Sequence, residues 1–322
     1  MKDRRDREIN YIRLSITDRC NLRCRYCMPA TGIKMKRCNE ILCYEDLLKI
    51  VAISTELGIR KVRVTGGEPL VRKGVIGFIE RLSAIPGIKE IGLTTNGLLL
   101  ADHARQLKSA GVDRVNVSLD SLQEKTFAEI TRGGSLAAVL SGLDRAQEAG
   151  LKIKLNMVVM RGVNDQEIVS FARLSIDKSW SVRFIEYMPI LREHGWQNRI
   201  LTGAEILHEV QRHYSLQSIS CGHFCGPAKP YRISGAKGTI GIITPISDHF
   251  CGSCNRIRVT STGLAKSCLF NEEAVDLKPF LTHSPDTLRD ALKQVISNKP
   301  QQHNWSCQSF EATAFSMASI GG

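Results

Sequence analysis

The sequence of 322 residues contains no apolar run long enough to cross a bilayer, and its opening, MKDRRDRE, lacks the apolar region of a signal peptide. We therefore expect a cytoplasmic protein with no membrane partner. Aromatic residues are scarce, at 6%. This scarcity argues against a basic nucleic-acid-binding protein with structural metal, which would need aromatic side chains on which bases can stack.

Acidic residues are too few to balance the basic ones, since 32 Asp and Glu face 44 Lys and Arg and leave a net charge of +12. Such a chain requires an anionic partner, and composition alone admits nucleic acid, a membrane surface or a phosphorylated small molecule. Cysteine, in contrast, is abundant, with eleven residues. In a reducing compartment, clustered cysteines more often bind metal or perform chemistry than form disulfides.

Short strand-like runs alternate with amphipathic helical ones, which predicts parallel βαβ units. We predict strands at 13–17, 61–65, 91–95, 114–120, 152–160 and 182–188, with Gly58, Gly111 and Gly150 ending the preceding helices. Six units are too few for a closed eight-stranded barrel, so the predicted fold is α/β, a partial (β/α)6 TIM-like barrel with a smaller C-terminal α+β region. We expect a basic lead-in at 1–10, the barrel at 11–200 and a C-terminal domain at 201–322.

Polar and glycine-containing groups follow several predicted strands, namely TDRC, TGGEP, TTNG and SLDS. Because the carboxyl ends of parallel strands meet at one edge, these groups predict a shared cavity. The first of them opens C-x3-C-x2-C, formed by Cys20, Cys24 and Cys27, which we call the first trio. Three thiolates around a cube of four irons would leave one iron open for a ligand. The alternatives are a zinc knuckle with a distant fourth ligand, or free thiols.

With Tyr26 before its last cysteine, the first trio resembles the cysteine loop of the radical S-adenosylmethionine (SAM) superfamily, and Thr65–Pro69 (TGGEP) is similar to that superfamily's glycine-rich segment. A second trio consists of Cys251, Cys254 and Cys268. His249 could complete a zinc site there. Arg256 and Arg258, which point to one side of an extended segment, instead suit a phosphorylated nucleobase beside an open iron.

Two further motifs narrow this resemblance, namely CGSCNRIR followed by Cys268, and the final SIGG. With them the sequence resembles the GTP 3′,8-cyclases of molybdenum cofactor biosynthesis, the MoaA family. VRVTGGEPL, VNVSLDS and RFIEYMP occur in the family's order. The resemblance implies a radical SAM lyase with two [4Fe-4S] clusters and SAM. The first cluster would cleave SAM to a 5′-deoxyadenosyl radical that takes the 3′ hydrogen of GTP, and the product would be 3′,8-cyclo-7,8-dihydro-GTP. Another radical SAM enzyme with an auxiliary cluster, such as a peptide maturase, is the alternative.

The resemblance also implies residue roles. The two trios would hold the clusters, the second with GTP. SAM would contact Tyr26, Gly67, Ser118 and Met188. GTP would contact Arg13, Arg63, Thr94, Lys154, Arg183, Arg256, Ile257 and Arg258. Gly321 and Gly322 would reach into the active site as a tail.

The implied partners are the cyclic pyranopterin monophosphate synthase, which takes the product, and an electron donor such as flavodoxin or ferredoxin. The protein itself would be a monomer or homodimer. We interpret Cys221 and Cys225 as incidental loop cysteines, and a third metal site there is the alternative. Cys38, Cys43 and Cys307 are predicted not to be ligands.

Overall fold

The computed structural model of the protein describes residues 1–188, 190–191, 195–220, 226–271, 273–303 and 317. They form one sheet of twelve strands. The strands are β1 (Tyr11–Ser15), β2 (Lys61–Thr65), β3 (Glu90–Thr95), β4 (Arg114–Ser118), β5 (Lys152–Val159), β6 (Ser181–Glu186), β7 (Leu216–Ser218), β8 (Lys229–Ile233), β9 (Thr239–Ile243), β10 (Arg256–Val259), β11 (Leu264–Lys266) and β12 (Val275–Asp276).

The strand order is β12-β11-β10-β1-β2-β3-β4-β5-β6-β9-β8-β7. From β10 to β9 the neighbouring strands are all parallel, whereas β11 and β12 at one edge and β8 and β7 at the other are antiparallel. The central run β1–β6 follows chain order, as βαβ connections require. The described strands do not close into a barrel, so the sheet keeps two edges.

Helices cover the outer face of this sheet. They are α1 (Tyr44–Glu56), α2 (Val75–Ser83), α3 (Leu100–Ser109), α4 (Glu124–Thr131), α5 (Leu136–Glu148), α6 (Ile168–Asp177), α7 (Gly203–Gln211), α8 (Lys278–Leu281) and α9 (Pro285–Ser297). In the part of the chain that the structure describes, no helix combines the length and apolarity needed to cross a membrane.

Alternation along the strands separates the core from the interior of the partial barrel. On β1, Ile12 and Leu14 are fully buried in the hydrophobic core with the outer helices. Tyr11 and Arg13 point the other way and line an interior cavity. The same alternation places polar and charged side chains of the neighbouring strands inside the sheet's curve, where they can meet a ligand.

The predicted fold class is confirmed, and some boundaries differ. The first strand is Tyr11–Ser15 rather than 13–17, because the chain leaves the ladder after Ile16 N donates to Thr65 O at 2.9 Å. The C-terminal region forms no separate sheet among the described residues, because β9 pairs with β6 and β10 pairs with β1. The division at 200 stays a prediction.

Candidate active site

A cavity of about 300 Å³ occupies the interior of the sheet and collects most of the predicted site residues. Those that line it are Cys20, Cys24, Cys27, Tyr26, Gly67, Ser118, Met188, Arg13, Arg63, Thr94, Arg183, Arg256, Arg258, Cys251, Cys254 and Cys268. Residues separated by more than two hundred positions in the chain therefore line the same cavity.

The first trio lies on the loop that follows the carboxyl end of β1. Gly67 N donates to Thr17 O and Glu68 N donates to Arg19 O, both at 2.8 Å, so the loop after β2 is tied to the backbone that leads into Cys20. A Cβ built on Gly67 would lie 2.4 Å from Arg19 O. Gly67 must therefore be a glycine, because the loop after β2 approaches the cysteine loop closely at this position. Gly67 also lines the cavity.

The thiols of the first trio are close enough to affect one another. Burial raises the pKa of Cys24 well above its usual value, and repulsion from Asp120, Cys27 and Cys20 raises it further. No group of three His, Cys, Asp or Glu among the described residues is arranged around a single metal ion. Each thiolate of an iron–sulfur cluster binds a different iron, and the three thiols that line this cavity can supply such donors. The donor set therefore fits a cluster.

The second trio lies at the opposite end of the parallel strands. Cys254 precedes β10, whose first residue, Arg256, pairs with Tyr11 at the start of β1. Cys268 follows β11, which runs antiparallel to β10 and returns to the same end. Burial would raise the pKa of Cys254, but the charges of Arg256 and Lys299 outweigh it and lower that pKa to about 6. A buried thiolate beside cations suits iron ligation.

His249 belongs to no group of three or more potential metal ligands among the described residues. Its Nδ1 lies 3.1 Å from Pro245 O, and its ring packs edge-on against His303 with centroids 4.2 Å apart. Cys38 and Cys43 are exposed, and the Cys43 thiol caps α1 by accepting from Asp46 N at 3.4 Å.

Buried cations line the cavity between the two trios. They come from four different strands, and include Arg13 on β1, Arg63 on β2, Arg183 on β6 and Arg258 on β10. Burial lowers the pKa of Arg183 to about 9, with repulsion from Arg63 contributing. So many buried positive charges destabilise one another unless an anion joins them.

Several polar atoms around the cavity are buried without a hydrogen-bond partner among the described residues. They are Arg63 Nε, Arg183 Nε, Thr94 Oγ1 and Asn156 Oδ1. Leaving a buried polar group unsatisfied costs about 1–3 kcal/mol. Their common position on one cavity indicates a polar ligand with acceptors for the guanidinium groups and a donor for Asn156 Oδ1.

Small residues on the strands make room for the guanidinium groups. A Cβ on Gly92 of β3 would lie 3.6 Å from Arg63 Nε, and a Cβ on Gly241 of β9 would lie 3.3 Å from Arg183 Cγ. A larger side chain at either position would compete with an arginine for interior space. The sheet is therefore built to hold these cations on its inner face.

Of the residues expected to contact SAM, Tyr26 has the most definite geometry. Its hydroxyl donates to Asp120 Oδ2 at 2.8 Å, and Asp120 Oδ1 accepts from Val158 N at 2.8 Å. Ser118 ends β4 on the same side of the cavity as the first trio. Tyr26 is thus held by Asp120, which follows β4 and is itself bonded to β5.

Two of the predicted residues that the structure describes do not line the cavity. Ile257 is fully buried in the hydrophobic core on the opposite face of β10, so its side chain faces away. Lys154 on β5 is not in direct contact with the cavity; burial and then repulsion from Arg183 lower its pKa to about 5. Gly321 and Gly322, like Cys221, Cys225 and Cys307, lie outside the described residues.

The structure also brings residues to the site that the sequence did not identify. Tyr11 and Lys61 line the cavity, and their spacing of two from Arg13 and Arg63 is a signal that could have found them. Glu68 stands in TGGEP, where its carboxylate accepts from Asn96 N at 2.7 Å. Lys299, which follows α9, carries no local sequence signal.

Comparison with known proteins agrees with this geometry. A model described as "Radical SAM superfamily" matches residues 14–175, and one described as "Molybdenum Cofactor Synthesis C" matches residues 180–305. A GTP 3′,8-cyclase of Geobacter sulfurreducens is 54% identical over 98% of both chains. One of Alkaliphilus metalliredigens is 48% identical over 100% of both.

The chain belongs to the GTP 3′,8-cyclase family. The family membership predicted from the cysteine motifs is thereby confirmed, as is its place in the radical SAM superfamily. Both family models together span the two trios, since Cys20 lies in the first matched region and Cys254 in the second.

Solved structures of other proteins resemble this chain in fold. Streptococcus suis SuiB bound to S-adenosylmethionine superposes with a TM-score of 0.60 at 16% identity, covering 88% of this chain and 66% of SuiB. SuiB bound to its precursor peptide SuiA gives a TM-score of 0.62 at 14% identity, covering 94% and 67%. At these identities the likeness shows the fold alone, so SuiB's peptide ligand does not favour the peptide-maturase alternative.

Proposed function

We propose that the chain converts GTP to 3′,8-cyclo-7,8-dihydro-GTP, the first step of molybdenum cofactor biosynthesis. The observation that carries this proposal is the arrangement of one cavity with a thiol trio at each end and buried cations between them. A small anionic molecule held by the cations would have its two ends near two different metal centres.

The proposed cofactors are two [4Fe-4S] clusters, on Cys20, Cys24 and Cys27 and on Cys251, Cys254 and Cys268, together with SAM. When bound, the first cluster and SAM supply the radical that abstracts hydrogen from the substrate. The protein's contribution is binding, orientation and exclusion of water. The position of the cavity on the inner face of the sheet supports that contribution, because a radical exposed to bulk solvent would be lost to side reactions.

The cations are proposed to bind the triphosphate. Guanidinium groups pair with phosphate oxygens through two parallel hydrogen bonds, so Arg13, Arg63 and Arg183 suit this role. Arg256 and Arg258 stand beside the second trio and would bind the substrate close to its cluster. Lys154, which lies behind the residues that line the cavity, would add a positive charge. Ile257 could contribute only through its backbone.

SAM is proposed to contact Tyr26, Gly67, Ser118 and Met188, which line the cavity on the first trio's side. The unpartnered Thr94 Oγ1 lies next along the chain to Thr95, whose hydroxyl donates to Glu68. Glu68 thereby joins the loops after β2 and β3 behind the cavity. Gly321 and Gly322 are proposed to complete the site.

We also propose a cytoplasmic location, because reduced thiols for cluster assembly persist there. The product would pass to the cyclic pyranopterin monophosphate synthase. Electrons would come from a flavodoxin or ferredoxin, and the exposed basic residues Arg19, Lys36 and Arg37 near the first trio suit an acidic donor.

The test is an anaerobic incubation of reconstituted protein with SAM, GTP and a reductant, followed by mass analysis of the products. We expect 5′-deoxyadenosine and a cyclised product derived from GTP. Cleavage of SAM with unchanged GTP would retain the radical SAM assignment and eliminate the cyclase assignment.

The second trio is tested separately with Cys251→Ala. We expect this variant to keep the iron of the first trio, measured by iron analysis and electron paramagnetic resonance, and to lose product formation. Cys43→Ala is the matched control, because Cys43 is exposed on α1 and should affect neither measurement. Full product formation by Cys251→Ala would contradict the role assigned to the second trio.

A further inference from the structure

Lys299 is a buried lysine that follows α9 and touches the second trio. Only 5% of the residue is exposed, and it lines the cavity. Its ammonium donates to Arg256 O and to Ser267 O, both at 2.7 Å. Its charge also interacts electrostatically with Cys254 and Cys268.

These contacts join the two segments that carry the ligands. Arg256 lies two residues after Cys254, and Ser267 immediately precedes Cys268. One ammonium group therefore bridges two backbone segments that approach the trio from β10 and β11. An ammonium has three donors, and these two carbonyls accept from two of them.

A cation in this position favours negative charge on the centre that the thiolates hold. Hydrogen bonds and charges around the sulfurs are the means by which a protein tunes an iron–sulfur cluster. The effect is large here because burial reduces screening by water. Addition of an electron makes the cluster more negative, so the ammonium stabilises the reduced state more than the oxidised one.

We propose that the positive charge of Lys299 stabilises the iron–sulfur cluster of the second trio and raises its reduction potential. This inference rests on the proposed function, in which the second trio holds a cluster. Lys299 is a positioning residue in this assignment, because its donors are directed to the backbone segments that carry the ligands.

The experiment isolates the second cluster in full-length protein carrying Cys20→Ala, Cys24→Ala and Cys27→Ala. In this background we measure iron and sulfide per chain and a redox titration followed by electron paramagnetic resonance. If this parent protein holds no cluster, the proposed function fails at the second trio. If it holds one, the Lys299 variants test the inference by itself.

Lys299→Met is expected to lower the midpoint potential, so that the ratio of oxidised to reduced cluster at the parent's midpoint rises about tenfold, which is about 59 mV for one electron. Lys299→Arg keeps the charge and should remain close to the parent. Lys278→Met is the matched control, because Lys278 donates to Glu40 O at 2.7 Å in the same manner away from the trios.

Lys299→Gln guards against loss of the cluster through loss of the backbone ties, since an amide can still donate to a carbonyl. An unshifted midpoint in either neutral variant with full iron content overturns the inference. Loss of iron from both neutral variants but not from Lys299→Arg supports it, since only the charge is then decisive. Loss of iron from Lys299→Arg as well overturns it, because shape rather than charge would be required.

Discussion

Tyr26 of the first cysteine loop donates a 2.8 Å hydrogen bond to Asp120, which lies two residues past β4. Asp120 is 2% exposed and also accepts from Val158 N. Burial raises the pKa of this carboxyl to about 6 despite both hydrogen bonds. At neutral pH the carboxylate is thus ionised and can accept from both donors, which fixes the aromatic ring beside the first trio.

Asp120→Asn is expected to weaken SAM binding several-fold, because an amide can accept with only one of its two terminal atoms and a hydrogen bond to a charged group contributes about 1.5–3 kcal/mol. Equilibrium binding of SAM to the cluster-loaded protein measures this. Tyr26→Phe supplies the control: if Asp120 acts through Tyr26, Asp120→Asn adds little in the Tyr26→Phe background. Fully additive losses would contradict a shared role.

Gly67→Ala is expected to remove the first cluster selectively. The added Cβ would stand 2.4 Å from Arg19 O and 2.9 Å from Asp18 O, so the backbone before Cys20 must move. Iron analysis should show the loss of one cluster while the second remains visible by electron paramagnetic resonance. Gly77→Ala within α2 is the control, because a Cβ there meets nothing within 4 Å. Equal iron content in both variants would refute the steric argument.

Lys154 is expected to take up a proton when GTP binds. Its pKa of about 5 leaves the amine neutral at pH 7, with burial the largest cause and Arg183 the next. Negative phosphates nearby raise that pKa and favour the charged form, so GTP affinity should fall as pH rises from about 5 to the raised pKa of the complex. Calorimetry in buffers of different ionisation enthalpy counts the protons.

Lys154→Gln should reduce this proton uptake, whereas Lys152→Gln should preserve it, since Lys152 is exposed at the start of the same strand. Identical uptake by Lys154→Gln and the unmodified protein would show that another group takes the proton.

Local pattern predicted the central sheet well. The strands β2 to β6 are short apolar or alternating runs, and Gly58, Gly111 and Gly150 end their preceding helices with φ of +93°, +98° and +73°. The local signals for helix α2 are weak, because Gly74 at its N-cap supplies no capping side chain and Gly77 lies within the helix. The pairing of β10 with β1 was not predictable either, since no local signal joins strands so far apart in the chain.

The residues of the site likewise include some that the sequence predicts and some that it does not. The cysteine trios and the Arg256–Arg258 pair were recognisable because their chemistry is specific at short spacing. Lys299 was not, because an isolated lysine after a helix resembles any surface lysine until the fold places it between Arg256 O and Ser267 O. Its role exists only in the tertiary structure.

Like Lys299, Arg7 has a role that arises only in the tertiary structure. Its contacts predict that the N-terminal segment helps to hold the second trio. Its guanidinium donates to Cys251 O at 2.8 Å and Pro300 O at 2.8 Å, while Asp3 accepts from its Nε at 2.6 Å. Arg7→Met removes these part-buried hydrogen bonds and the ion pair with Asp3, whose carboxylate still accepts from Arg5 N and Arg7 N. A hydrogen bond to a charged group contributes about 1.5–3 kcal/mol. We expect faster loss of iron from the second cluster to a chelator, with the first cluster retained. Arg4→Met, at an exposed position three residues earlier, should lose iron at the unmodified rate. Equal rates for both variants would mean that Arg7 is not needed to hold the Cys251 loop around its cluster.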